Sequence, residues 1–191
     1  MNYLEVYDSS FSDNNYSVHN NQEFRYQFCI KYLQNHTINS LIDVGSGRGV
    51  FLKMIYDIVP DIVSVDLNNY HNINGIKFIQ ANLANQNDRD HLMNMCRDNK
   101  YDLLTCLDVL EHLDKTFIEN VLEMFAKLSK VCILTIANHS DIFNGVELHT
   151  IQEDFEFWGP LIKKYFKIID CNEHYIHNNK PRLFIVTVES L

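Results

Sequence analysis

Positive charge is in short supply in this chain: 16 Lys and Arg stand against 25 Asp and Glu over 191 residues, a formal net charge of -9. Lys and Arg contacts to phosphates supply most nucleic-acid affinity, so this balance disfavours a polyanionic partner. Lys163, Lys164 and Lys167, with Lys180 and Arg182, are the local basic clusters on offer. Long apolar runs are missing as well; the longest are strand-sized, which excludes a transmembrane helix and a membrane partner of that kind. The N-terminus lacks a basic segment followed by an apolar one, so no secretory leader is expected. Five cysteines (Cys29, Cys96, Cys106, Cys132 and Cys171) are scattered, and none shows C-x-x-C spacing. They read as reduced core thiols, which points to a cytoplasmic protein. What remains is an ordinary globular balance, 46% hydrophobic and 21% charged. Its length suits a single domain over residues 1–191, with an irregular segment at 1–21 and a core at 22–191.

Six glycines serve the whole chain, and three of them fall within Gly45-Ser46-Gly47-Arg48-Gly49. The apolar run Leu41-Ile42-Asp43-Val44 enters this turn, and Val50-Phe51-Leu52 leaves it at helical spacing. Strand, tight turn and helix start are where α/β folds bind nucleotide-like ligands. Val50 stands where a dinucleotide fingerprint carries its third glycine, which points away from NAD and toward S-adenosylmethionine. From Leu41 onward strand-like and helix-like segments alternate, predicting a mainly parallel sheet covered by helices. The expected strands are 40–44, 62–65, 77–80, 101–106, 131–136, 166–171 and 182–188. Expected helices cover 22–32, 50–58, a stretch capped by Asp88, the 117–128 region, and one opened by a Thr150–Glu153 capping box. The last two strands join without a helix, so the sheet ends antiparallel. The expected fold is α/β: a Rossmann-like, doubly wound sheet of about seven strands, mostly parallel with an antiparallel C-terminal strand.

This order of elements, with the glycine turn after the first strand, resembles the class I S-adenosylmethionine-dependent methyltransferases from Arg25 to Val188. The resemblance implies a cofactor site built from Gly45, Ser46, Gly47 and Gly49. Asp66, at the end of the second strand, would accept from the ribose hydroxyls; the alternative is a turn-forming Asp. Leu67 would flank the adenine. Asn82 with Leu83 stands where the family often carries an adenine-binding Asp, though a plain turn Asn serves as well. Asp43 would lie near the cofactor's methionine part or brace the glycine loop, and Leu107 would line the cofactor. Arg25 would pair with the cofactor carboxylate, or else is an exposed helix charge.

The segment Asp108-Val109-Leu110-Glu111-His112-Leu113 bears on the acceptor. Enzymes that methylate amino groups of nucleobases or protein amides usually carry an Asn/Asp-Pro-Pro-aromatic turn here, and Pro60, Pro160 and Pro181 are all remote. No cysteine follows a proline, which disfavours cytosine C5 chemistry. The segment instead resembles that of small-molecule methyltransferases, including the O-methyltransferases of ubiquinone synthesis. Asp108, Glu111 and His112 share one face if the chain is helical there, and with His149 they form a candidate site for Mg²⁺, Mn²⁺ or Zn²⁺. The ubiquinone O-methyltransferases and the small-RNA terminal 2′-O-methyltransferases carry a related Glu-x-x-Glu-His pattern with a later histidine. The competing reading makes Glu111 an organiser of the turn and His112 a base or a structural residue. The candidate catalytic residues are His112, His149 and Asp108. The other histidines are expected to be solvated, with His139 held in reserve. Trp158, Phe155 and Phe157 line a substrate pocket or pack in the core. The reading is methyl transfer to a small molecule, most simply to a hydroxyl oxygen. The alternatives are a metal-dependent RNA-terminal 2′-O-methyltransferase and a non-catalytic binding subunit.

Overall fold

The structure, a computed structural model, describes residues 22–96, 100–175 and 180–191. The expected irregular segment 1–21 lies outside the described residues, as do His19, His177, Asn178 and Asn179. Helix α1 (Gln22–Asn35) leads into β1 (Ser40–Val44), the glycine turn, α2 (Val50–Ile55), β2 (Asp61–Asp66) and β3 (Lys77–Gln80). Then come α3 (Gln86–Met95), β4 (Tyr101–Leu107), a 3-10 turn at Leu110–His112, α4 (Lys115–Leu128) and β5 (Ser129–Ala137). A two-strand ribbon, β6 (Ile142–Phe143) and β7 (Val146–Glu147), precedes α5 (Phe155–Lys163), β8 (Phe166–His174) and β9 (Leu183–Ser190).

Seven strands form one sheet in the order β3-β2-β1-β4-β5-β9-β8. The β1–β2, β1–β4, β2–β3 and β4–β5 pairs are parallel, while β9 runs antiparallel to both β5 and β8. The antiparallel strand is thus inserted one place in from the edge, with β8 outside it. Every residue of β1 is buried, as a strand covered on both faces should be. The two-residue period sends Ile42, Leu104, Leu134 and Val186 to one face, against α3, α4 and α5. Leu41, Leu103, Ile133 and Ile185 go to the other face, against α1 and α2. The chain steps one way from β1 to β3 and the other way from β4, so the carboxyl ends of β1 and β4 open a crevice. Val44 pairs with Cys106, which sets the glycine turn beside the segment that follows β4.

Two expected helix starts are corrected. Asn85, not Asp88, caps α3, its side chain accepting from Asn87 N, while Asp88 accepts from Asn82 N at 2.9 Å. The expected capping box at Thr150 does not form: α5 starts after Asp154, and the Thr150 hydroxyl donates to the carbonyl of Leu113 at 2.5 Å. Thr150 therefore ties two loops together. Trp158 is fully buried in the core, so packing decides its role.

Candidate active site

The glycine turn depends on backbone torsions that a side chain resists: φ is 79° at Gly45, 50° at Gly47 and 68° at Gly49. The amides of Gly45 and Ser46 both donate to Val65 O, at 2.8 and 3.2 Å. Asp66 completes the lock. Its Oδ2 accepts from Gly47 N at 2.7 Å and its Oδ1 from Leu67 N at 2.6 Å. The end of β2 is thereby clamped to the turn after β1. The buried Ser46 Oγ has no hydrogen-bond partner among the described residues. Leu67 and Leu107 are half-buried and Leu83 is buried. Asn82 Oδ1 accepts from Ala84 N at 3.0 Å, an Asx turn that occupies the side-chain oxygen expected to face an adenine.

Asp43 faces β4 rather than the loop amides, accepting from the Thr105 hydroxyl at 2.6 Å. Burial pushes its pKa up to about 7. Arg25 is not an exposed helix charge: it is buried on α1, and its guanidinium pairs with the Asp108 carboxylate. Its Nε has no partner among the described residues. Asp108 itself adopts a left-handed backbone, φ 58°. Its amide donates to Thr135 Oγ1 at 3.0 Å, and that hydroxyl donates back to Asp108 Oδ1 at 2.8 Å.

The chain after β4 is a 3-10 turn, not an α-helix, so the expected alignment of Asp108, Glu111 and His112 on one helical face is replaced by a different grouping. Glu111, His112 and His149 each present one ligand atom within 4.8 Å of the others, and Asp108 is outside this group. Glu111 is fully buried; its Oε1 accepts from Ala137 N at 2.9 Å, while Oε2 has no partner among the described residues. Burial, then the Asp108 charge, raises the Glu111 pKa well above the carboxylate range. His112 Nδ1 lies 3.0 Å from Leu148 O, and His149 Nδ1 lies 2.5 Å from His139 O. A carbonyl only accepts, so both Nδ1 atoms carry the proton and both lone pairs sit on Nε2. The two rings meet edge to face at 4.6 Å. Desolvation, then the neighbouring His149, lowers the His112 pKa to about 3. His149 is lowered too, chiefly by burial.

This is a donor set that fits a divalent cation: a buried carboxylate oxygen lacking a partner, and two imidazoles whose far nitrogens are anchored to backbone carbonyls. Two nitrogens and one oxygen suit Zn²⁺ or Mn²⁺ better than Mg²⁺. For a cofactor with polar and anionic groups, Arg25 Nε and Ser46 Oγ are two buried polar atoms that lack partners among the described residues.

A family model described as a methyltransferase domain matches residues 10–175. The chain belongs to that family, within the class I S-adenosylmethionine-dependent superfamily. Among solved structures, the N-methyltransferase NodS from Bradyrhizobium japonicum, in complex with S-adenosyl-L-homocysteine, is 9% identical. Its TM-score is 0.72, with 100% of this chain and 99% of that chain covered. The DhpI complex with S-adenosylhomocysteine is 12% identical, with a TM-score of 0.69 and coverage of 98% and 94%. The methyltransferase domain of bacterial CtHen1-CN is 16% identical, with a TM-score of 0.66 and coverage of 88% and 98%. At such identities these likenesses concern the fold. No curated protein sequence matches the chain.

Sequence reasoning missed three residues that organise this methyltransferase's site. Thr105 and Thr135 sit in strands, where Thr reads as an ordinary β-former; each hydroxyl instead bonds an acidic residue of the site. His71, expected to be solvated, is buried. Its Nδ1 accepts from Ile73 N at 2.9 Å, so its Nε2 donates to Ser64 Oγ at 2.8 Å. It packs under the turn so closely that a Cβ on Gly49 would lie 2.5 Å from the His71 Cβ. No local signal distinguishes His71 from its Asn-rich loop. Among the described residues no helix is long and apolar enough to cross a membrane.

Proposed function

We propose that this methyltransferase moves the methyl group of S-adenosylmethionine to a hydroxyl oxygen of a small molecule, with a divalent cation held by Glu111, His112 and His149. The observation that carries the reading is the convergence of those three donors within 4.8 Å. Gly45, Ser46, Gly47 and Gly49 line the cofactor, and Asp66 both clamps the turn and accepts from the ribose. A carboxylate has about four lone-pair sites, enough for both tasks. Leu67, Leu83 and Leu107 supply apolar walls. Asn82 contributes through its position, its side-chain oxygen being engaged by Ala84 N. Arg25 takes the cofactor carboxylate.

A bound cation would polarise the acceptor hydroxyl and lower its pKa. The chain's own residues place the acceptor in line with the methyl group, which is the main source of rate in such transfers. With its pKa near 3, His112 keeps only its Nδ1 proton at neutral pH and serves as a neutral ligand through Nε2. His149 Nε2 would likewise be given to the cation while its Nδ1 donates to His139 O, so neither imidazole takes the hydroxyl proton, which leaves to solvent.

A second reading is methylation of an RNA terminus, favoured by the adjacent Glu111 and His112 with the later His149 and by the fold likeness to the CtHen1-CN domain. The charge opposes it. Lys164 is engaged by Glu119 at 2.6 Å and Lys180 by Asp154 at 3.0 Å, which spends two of the few clustered cations. A screen with labelled S-adenosylmethionine separates the two: phenols and catechols against short RNA duplexes, each with and without EDTA. EDTA-sensitive transfer to a small hydroxyl is expected, with recovery on adding Mn²⁺. Transfer to RNA alone would replace the first reading with the second, and EDTA-resistant transfer would remove the cation from both.

A further inference from the structure

Between the cofactor's half of the crevice and the three donors lies one ion pair, Arg25 with Asp108. We propose that this pair couples the two halves: engagement of Arg25 by the cofactor's carboxylate leaves the Asp108 charge uncancelled and so tightens cation binding at Glu111, His112 and His149. The inference rests on the cofactor and cation subsites proposed above, and concerns how they act on each other.

Four observations carry it. Arg25 is buried and retains an unpartnered Nε among the described residues, so its guanidinium has donors left for a second anion. Asp108 cannot swing away with it, because Thr135 holds both its amide and its Oδ1. Asp108 also bears on the donors directly. Thr135 holds Asp108 Oδ1 and, two residues along the same strand, Ala137 N donates to Glu111 Oε1 at 2.9 Å, so both carboxylates are held along the same end of β5. Glu111, finally, is fully buried, where charges act over a low dielectric and are little screened by salt. In the unliganded protein Arg25 cancels Asp108. A carboxylate on Arg25 removes that cancellation. The donors then face a fixed, uncompensated negative charge, which favours a cation. Coupling of this kind is reciprocal, so the cation must tighten cofactor binding by the same factor.

Mn²⁺ affinity of the full chain, read from the electron paramagnetic resonance signal of free Mn²⁺, gives a test independent of turnover. Saturating S-adenosylhomocysteine should lower the Mn²⁺ Kd by about fivefold or more, the lower end of typical coupling. Titration calorimetry should return the same factor for S-adenosylhomocysteine when Mn²⁺ is saturating. The product 5′-methylthioadenosine, which lacks the amino-acid part, should bind without changing the Mn²⁺ Kd. Asp108→Asn keeps an oxygen for the Thr135 hydroxyl while losing the charge; it should still bind both ligands, with the coupling factor falling to about one. If Mn²⁺ and S-adenosylhomocysteine both bind but ignore each other, the coupling is wrong and the functional reading stands. Coupling that survives Asp108→Asn, or that 5′-methylthioadenosine reproduces, also overturns it. Failure of Mn²⁺ to bind at all removes the cation reading and the coupling together.

Discussion

Replacing Gly45 with alanine tests whether the turn after β1 and the segment after β4 are one mechanical unit. At φ 79° a Cβ is strained, which costs about 1–2 kcal/mol. The added carbon would also lie 2.2 Å from Val109 Cγ2, with Val109 Cβ and Cγ1 at 3.4 and 3.5 Å. Val109 has little room to yield. Asp108 before it is tied to Thr135 and Arg25, and Leu110 after it is fully buried. Overpacking of this kind costs about 1–3 kcal/mol. Gly45→Ala should therefore lose about 2–5 kcal/mol, a fall in Tm of about 4–20 °C for a chain of this size. The decisive assay is a double-mutant cycle in urea. Val109→Ala removes the clashing methyl, at a cost of about 1–2 kcal/mol for the lost apolar contact. In the double variant the overpacking disappears while the φ strain stays, giving a favourable coupling of about 1–3 kcal/mol. Additivity within about 0.5 kcal/mol would refute the contact, and a wild-type midpoint for Gly45→Ala would refute the strain as well.

Asp66→Ala should weaken S-adenosylhomocysteine binding by about 10- to 150-fold, the value of losing hydrogen bonds to a charged group, read by calorimetry; intact binding would remove the ribose assignment. Asp43 has a folded pKa near 7, above its usual 3.8, so its stabilising contribution is full below about pH 4 and lost as pH rises through 7. Asp43→Asn, which keeps an oxygen for Thr105, should accordingly raise the urea midpoint at pH 8 and raise it less at pH 5; an equal change at both would contradict this. His112 runs the other way. With a folded pKa near 3, its contribution is present above pH 6.5 and fades as pH falls toward 3, so His112→Gln should flatten the acid limb of the stability profile. His71→Asn, which retains an acceptor for Ile73 N, should keep S-adenosylhomocysteine affinity within about threefold, whereas His71→Ala should cost about 1–3 kcal/mol of stability by orphaning a buried amide and hydroxyl.

The strands were legible in the sequence because their signals are local. Ser40–Val44 and Lys77–Gln80 have the bounds expected of them, and strands of such apolar density cannot be mistaken for turns. The glycine turn and Asp66 were legible for the same reason: spacing along the chain fixed both, and the clamp between them follows from the parallel pairing of β1 with β2. Helix starts were harder to read. Asp88 and Thr150 have the chemistry of caps, yet each hydrogen-bonds to another segment, the one to Asn82 N and the other to the loop after β4. A capping side chain is a short hydrogen-bonding group, and a tertiary partner competes for it on equal terms.

The acceptor side was legible in its residue types but not in its grouping, and the reason lies in one backbone angle. A helix through Asp108–His112 would have put Asp108 beside Glu111 and His112. The left-handed turn at Asp108, φ 58°, breaks that register and directs its carboxylate to Arg25 and Thr135 instead. His149 takes the vacated place, brought in by the bond from its Nδ1 to His139 O and by the tie between Ile151 N and Glu111 O at 3.0 Å. Those bonds span up to 40 residues, and no periodicity records them. A left-handed non-glycine residue persists only where its surroundings over-determine it. Here Thr135 and Arg25 do so together. Asp108→Gly, which frees the angle but deletes the carboxylate, and Asp108→Asn, which keeps the side-chain shape, should therefore differ: the first should loosen the three donors and weaken Mn²⁺ binding, the second should leave them assembled. Equal Mn²⁺ affinity in the two variants would mean that the 3-10 turn holds itself, without help from the side chain at position 108.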